Sequence, residues 1–193
     1  MKLRFVIVTV ALAAAAGSAG LSQSAQTKDP CGDATMVSSA YPSYVGTVAA
    51  VLDPVTLLVT TGEQPGGVQP LAACSDMPCK VRLVNLDAPS DPALADQAKR
   101  NLLKILGKSR RVTLAISSVQ ETSGVINALV TPENYKKGSW LLEINETQLE
   151  AGLATYRSLG TYAVDWYIDC RLKRAEDRAR AARRGVWAKP WSR

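Results

Sequence analysis

The sequence predicts an α+β fold: a small closed barrel of five strands, of the OB type, with about three α-helices. Three observations predict it. Short alternating or Val-rich runs, bounded by turn residues, recur along the first two thirds of the chain. One helical stretch interrupts them after the third run, and further helical pattern follows the fifth. The 193 residues are 47% apolar and 21% charged, which suits one packed core and excludes a disordered chain. An α+β sandwich is the second architecture that this order permits.

Each element has its own signal. Residues 26–43 are polar, carry Pro30 and Pro42, and read as an arm. Tyr44 to Leu52 is rich in Val and Ala and reads as the first strand. Asp53-Pro54 turns it into a partner over Thr56–Thr61. A Pro- and Gly-rich inserted loop follows over 62–79, read as a surface insertion. Lys80 to Leu86 alternates and predicts the third strand. Asp91 is placed to cap a helix whose first turn accepts Pro92. Leu94, Ala98, Leu102 and Ile105 share one face of it, and Gly107 ends it. Arg111 to Ser117 alternates as the fourth strand, and Val125 to Thr131 reads as the fifth. Trp140 to Ile144 reads as a short extended piece. Asn145 with Gln148 matches a capping box for a short helix that Gly152 closes. The Asn145-Glu146-Thr147 sequon is read as part of that cap. The last helix is predicted from Tyr162 to Arg184. Val164, Ile168, Leu172, Ala175, Ala179, Ala182 and Val186 form its apolar stripe. Arg171, Arg174, Arg178 and Arg184 lie opposite, among acidic residues, and read as a solvated face.

The chain has no His. That excludes an imidazole base, Ser-His-Asp and Cys-His arrangements, and zinc sites that need imidazole. Lys2 and Arg4 precede an uncharged run from Phe5 to Ala16 and a small-residue exit, the pattern of a cleaved secretory signal over residues 1–25. The run is short of the ~20 apolar residues of a spanning helix, so no transmembrane segment is expected in the mature chain. A secreted or periplasmic location follows. The four cysteines agree with export. Two disulfides are expected, although four cysteines allow three connectivities and a metal site is the competing idea. Cys74 and Cys79 bracket a short loop, which favours their local pairing and leaves Cys31 for Cys170.

Several strings, taken in order, resemble the staphylococcal nuclease (thermonuclease) family across about residues 44–191. They are YVGTVAAVLDPVT, VRLVNLDAP, the Ser123-Gly124 turn, INETQLEAGLATY and AEDRARAARRGVWAKPW. The resemblance implies an OB barrel and calcium-dependent hydrolysis of DNA and RNA phosphodiesters. In such a site two carboxylates hold the ion, a third serves the attacking water, and two guanidiniums stabilise charge on phosphate oxygens. Carried over by position, Arg82 matches the first catalytic arginine and Asp87 a metal ligand. Val55 stands where another calcium-binding aspartate belongs, Ser90 where the water-orienting glutamate belongs, and Val125 where the second arginine belongs. None of the three can do that work. Asp53 is a stand-in ligand by spacing, but also a turn former. Asp91 is a stand-in base by position, but also a helix cap.

The resemblance therefore implies an exported thermonuclease-like domain with a degenerate, catalytically inactive site that acts as a binding or structural module. No cofactor is expected, and Ca2+ only if the chain is active. The partner classes are another protein, an anionic polymer, or nucleic acid held weakly. The alternative is an unconventional metal-dependent nuclease using Arg82, Asp87, Asp53 and Asp91. A third reading places function in the 62–79 loop. Arg82 and Asp87, five apart, meet only if the chain bends after Leu86; an ion pair and a retained phosphate site are both open. Trp140, Trp166, Trp187 and Trp191 read as core or lid.

Overall fold

The computed structural model describes residues 30–32, 41–62, 64, 71, 74, 77–120, 122–133, 143–158 and 166–188. The expected secretory signal over residues 1–25, most of the arm, Trp140, Val164 and Trp191 lie outside them. The strands are β1 (Ser43–Asp53), β2 (Thr56–Thr60), β3 (Cys79–Leu83), β4 (Leu86–Asp87), β5 (Arg111–Val119), β6 (Ile126–Pro132) and β7 (Thr155–Tyr156). The helices are α1 (Pro92–Leu106), α2 (Glu143–Glu150) and α3 (Trp166–Ala181), followed by a 3-10 turn over Gly185–Trp187.

Five strands close into a barrel in the order β1-β2-β3-β6-β5. All pairings are antiparallel except β3 with β6, which is parallel. This mixed, five-stranded closure is OB-like. β1 is long enough to serve two partners. It bends through irregularities between Val48 and Ala50 and between Val51 and Asp53, which let a strand wrap round a small barrel. β4 and β7 pair separately, outside the barrel. Alternation places Leu57, Val59, Val81, Leu83, Leu114 and Ile126 in the core.

α1 is capped as its sequence predicts. The Asp91 carboxylate accepts from Ala93 N–H at 2.9 Å and Leu94 N–H at 3.3 Å, and Gly107 closes the helix at φ 63°. Ala98, Leu102 and Leu106 are its buried side chains. In α3, Ile168, Leu172, Ala175 and Ala179 are buried, but Ala182 is exposed because the helix has already ended at Ala181.

Several sequence expectations need correction. The third strand does not run unbroken to Leu86: it ends at Leu83, and Asn85 takes φ 60°, a left-handed conformation that Asn tolerates better than most residues. Glu143 and Ile144 are helical rather than extended. Asn145 is no N-cap, because α2 has already begun two residues earlier. Its side chain is fully buried and turns away from its own helix. It accepts from Val130 N–H at 3.2 Å and donates to Val84 O at 3.1 Å. Gln148 likewise donates to Ala98 O at 3.1 Å and Pro54 O at 3.3 Å. Finally, Trp166 is 69% exposed, so it is not a core residue. Trp187 is half-buried beneath Arg180, whose guanidinium carbon lies 4.1 Å from a ring centroid.

The Asn145 contacts carry a prediction. Asn145→Leu keeps the branched heavy-atom skeleton but leaves Val130 N–H and Val84 C=O without this buried partner. The expected loss is about 3 kcal/mol of unfolding free energy, read from urea midpoints.

The arginine face of α3 is not merely solvated. Arg171 and Arg178 bind Glu146, while Arg178 and Arg184 bind Glu150, so the row straps α3 to α2. The disulfides are Cys31–Cys170 and Cys74–Cys79. The described part of the 62–79 loop is not a surface appendage. Cys74 and Gln64 are buried, Cys74 O accepts from Thr61 N–H, and the Gln64 amide pairs with both backbone groups of Val45. No helix among the described residues is long and apolar enough to cross a membrane.

Candidate functional site

The break at Val84-Asn85 brings Arg82 and Asp87 together. Their side chains would point to opposite faces of a continuous strand. With the chain turned between them, Arg82 Nη2 donates to Asp87 Oδ1 at 2.9 Å and to Leu86 O at 3.2 Å. The bend therefore lies before Leu86 rather than after it. The turn is held from three sides. Val84 N–H donates to Ala128 O, Asn145 donates to Val84 O, and Arg157 N–H donates to Asn85 O at 2.9 Å.

Pairing of β4 with β7 then brings Arg157 to the other side of Asp87, with Nη1 3.4 Å from Oδ1. One carboxylate is shared by two guanidiniums. β7 itself is anchored on α3. Glu176 accepts from Tyr156 N–H at 2.8 Å, and the Tyr156 hydroxyl donates to Asp169. Burial, and next that bond to Asp169, raises the Tyr156 phenol above its ordinary pKa. The same carboxylate raises the Lys173 ammonium.

A cleft of about 370 Å³ opens beside this pair. Arg82, Arg157 and Lys80 bring positive charge to its lining, Asp53 brings the negative charge, and Asn127, Thr56, Gln120, Leu52 and Val125 complete it. The barrel register explains part of this set. Thr56 pairs with Arg82, Arg82 with Asn127, and Ser118 with Asn127. Residues in register on adjacent strands project to the same face, so a polar row crosses β2, β3, β6 and β5.

The sequence-predicted positions are divided by this geometry. Arg82, Asp53 and Val125 line the cleft. Asp87 is tied to Arg82 and Arg157. Val55 is 2% exposed and belongs to the core, and Ser90 is exposed just ahead of α1. Asp53 accepts from Val55 N–H at 2.8 Å, the turn-forming role. Asp91 is the α1 cap. Among the described residues, no three acidic or cysteine side chains converge as ligands for an ion. The donor set does not suit calcium: one carboxylate oxygen is shared by two guanidiniums, the other carboxylate holds a turn, and an apolar core residue stands between them in sequence. Arg157 and Asn127 were not singled out from sequence. Asn127 had one signal, an amide in the apolar run INALVTP; Arg157 had none.

Fold and site together define an OB-like barrel, stapled by two disulfides, with a small cationic cleft on one face. No protein-family model and no curated protein matches the chain.

Proposed function

We propose that the chain is an exported, thermonuclease-like barrel protein that binds an anionic partner through this cleft and does not hydrolyse phosphodiesters. The observation that carries the reading is Asp87 held between Arg82 and Arg157. A carboxylate so engaged offers little to a metal, while each guanidinium keeps further N–H donors for an anion. Val55, Ser90 and Val125 supply neither the missing ligand and base nor the second family guanidinium. Lys80, two residues before Arg82 on the same strand face, extends the positive charge. The signal-like N-terminus and the two disulfides support export.

Two assays on the purified mature protein test it. Cleavage of single- and double-stranded DNA and of RNA, with calcium or chelator, is expected to show no chelator-sensitive activity. Binding of a labelled anionic polymer is expected to weaken with salt, with a log–log slope of about −2 if three cations contact a single strand. Arg157→Gln is expected to flatten that slope. One observation favours the nuclease alternative: Asp53 shares the cleft with Arg82. Chelator-sensitive cleavage that disappears in both Asp53→Asn and Asp87→Ala would establish the alternative and overturn the binding reading.

A further inference from the structure

One arginine in the row along α3 straps nothing. Arg171, Arg178 and Arg184 tie the helix to α2 through Glu146 and Glu150. Arg174 stands in the middle of that row, exposed, with no hydrogen bond or ion pair among the described residues. Helical spacing places it one turn from Arg171 on one side and from Arg178 on the other. All three arginines line a pocket of about 290 Å³, together with Glu146, Pro30 and Cys31. Among the described residues, its lining shares none with that of the cationic cleft.

The charge of this pocket does not balance. Glu146 is the one carboxylate among its described lining residues, so three guanidiniums leave an excess of two positive charges. Both Glu146 oxygens are already engaged, Oε2 by Arg171 and Oε1 by Arg178 at 3.0 Å. Like charges three and four residues apart on a helix repel, and an anion between them relieves the repulsion. The donors for that anion are in place. Arg174 has all five of its N–H groups unspent, and Arg178 keeps its Nη1 donors after binding Glu146 and Glu150.

The remaining wall is held covalently. Cys31 is 1% exposed and bonded to Cys170, the residue before Arg171. That bond keeps the Pro30–Cys31 segment beside the arginine row. Arm, α2 and α3 thus build one concave surface from three distant parts of the chain.

We propose that this pocket is a second anion site, which takes a dianionic phosphate ester. The phosphoryl oxygens lie on Arg174 and the flanking Arg171 and Arg178. A phosphate monoester carries about −1.5 to −2 charges at pH 7, which matches the excess; a single carboxylate leaves half of it. The volume lies near the lower limit of ligand sites and admits one such group rather than a length of polymer. The inference is independent of the anion-binding reading of the cleft.

The test is titration of the oxidised protein with glycerol 3-phosphate and with acetate, followed residue by residue in nitrogen-15 amide spectra. The ester is expected to give saturable shifts at Cys31, Arg171, Arg174 and Arg178, and acetate to bind there at least tenfold more weakly. Arg174→Gln is expected to weaken the ester at this site at least tenfold, the worth of a charge-assisted hydrogen bond. Because Arg174 is exposed and bonds to nothing among the described residues, this variant keeps the fold. Lys104→Gln removes an exposed charge from α1 and should change the affinity less than twofold; so should Arg157→Gln. Vesicles containing phosphatidate separate the two sources of such an ester. Co-sedimentation that is lost in Arg174→Gln assigns it to a lipid head group, and shifts with the soluble ester alone assign it to a small soluble ligand. No saturable shift along α3, equal affinity for acetate, or equal weakening by Lys104→Gln and Arg174→Gln overturns the inference and leaves the cleft reading standing.

Discussion

Gly152→Ala is expected to lose about 4 kcal/mol of unfolding free energy, with the loss arising where α2 meets the end of α3. Two causes combine. Gly152 has φ 67°, a left-handed conformation that costs an alanine about 1–2 kcal/mol. A Cβ on Gly152 would also stand 2.2 Å from Arg184 O and 2.6 Å from its carbonyl carbon. Those are backbone atoms, so no rotamer change relieves the clash. The chains must part, and the 2.9 Å bond from Val186 N–H to Gly152 O is lost with the contact. Gly185 approaches reciprocally, since its Cβ would fall 2.0 Å from Gly152 O. Gly124 supplies the control. Its φ of 64° is nearly the same, but a Cβ there meets nothing within 4 Å. Gly124→Ala should therefore cost only about 1 kcal/mol. Urea midpoints of the two variants separate backbone strain from the close approach. Equal losses would mean that α2 and the turn after α3 adjust freely.

Legibility in the sequence followed the range of the interaction. Strands written as local alternation, such as Arg111–Val119, are found close to their predicted places because burial of one face is encoded residue by residue. Asp91-Pro92 was readable because a cap acts within three residues of itself. Asn145 and Gln148 match a capping box just as well, yet they bond to backbone groups between 15 and 94 residues away. Nothing in a four-residue window distinguishes a cap from an interior rivet. In KVRLVNL the apolar positions slip phase at Leu83-Val84, where β3 stops, a local mark that a single-strand reading passes over. What holds the break, Asn145 and Arg157 bonding to the turn, lies far away in sequence. The cleft shows the same division. Arg82 and Asp53 came from motif positions. Arg157 arrives through the two-residue pairing of β4 with β7, too short to leave a pattern, and Asn127 acquires meaning only when the parallel β3–β6 pairing sets it beside Arg82.

Removing the Cys31–Cys170 bond, by Cys31→Ala with Cys170→Ala, is expected to cost about 3–5 kcal/mol. The bond joins residues 139 apart, and chain-entropy theory assigns about 5 kcal/mol to a loop of that length. Measured values for such bonds fall at or below the theory because the open unfolded chain retains some structure. The Cys74–Cys79 bond closes a separation of only 5 residues, for which the same relation gives about 2 kcal/mol. Its removal should therefore be the milder change, although Cys74 is the more deeply buried of that pair and the loop carries Gln64 against β1. The prediction lies in the order of the two losses, compared by thermal midpoint in the oxidised state. A larger loss from the short loop would mean that local packing, rather than the freedom of the unfolded chain, sets the worth of both bonds. Reduction of wild type breaks both bonds, so its midpoint should fall below that of the Cys31/Cys170 variant by the smaller of the two losses. The fold would then reach full stability only where thiols are oxidised.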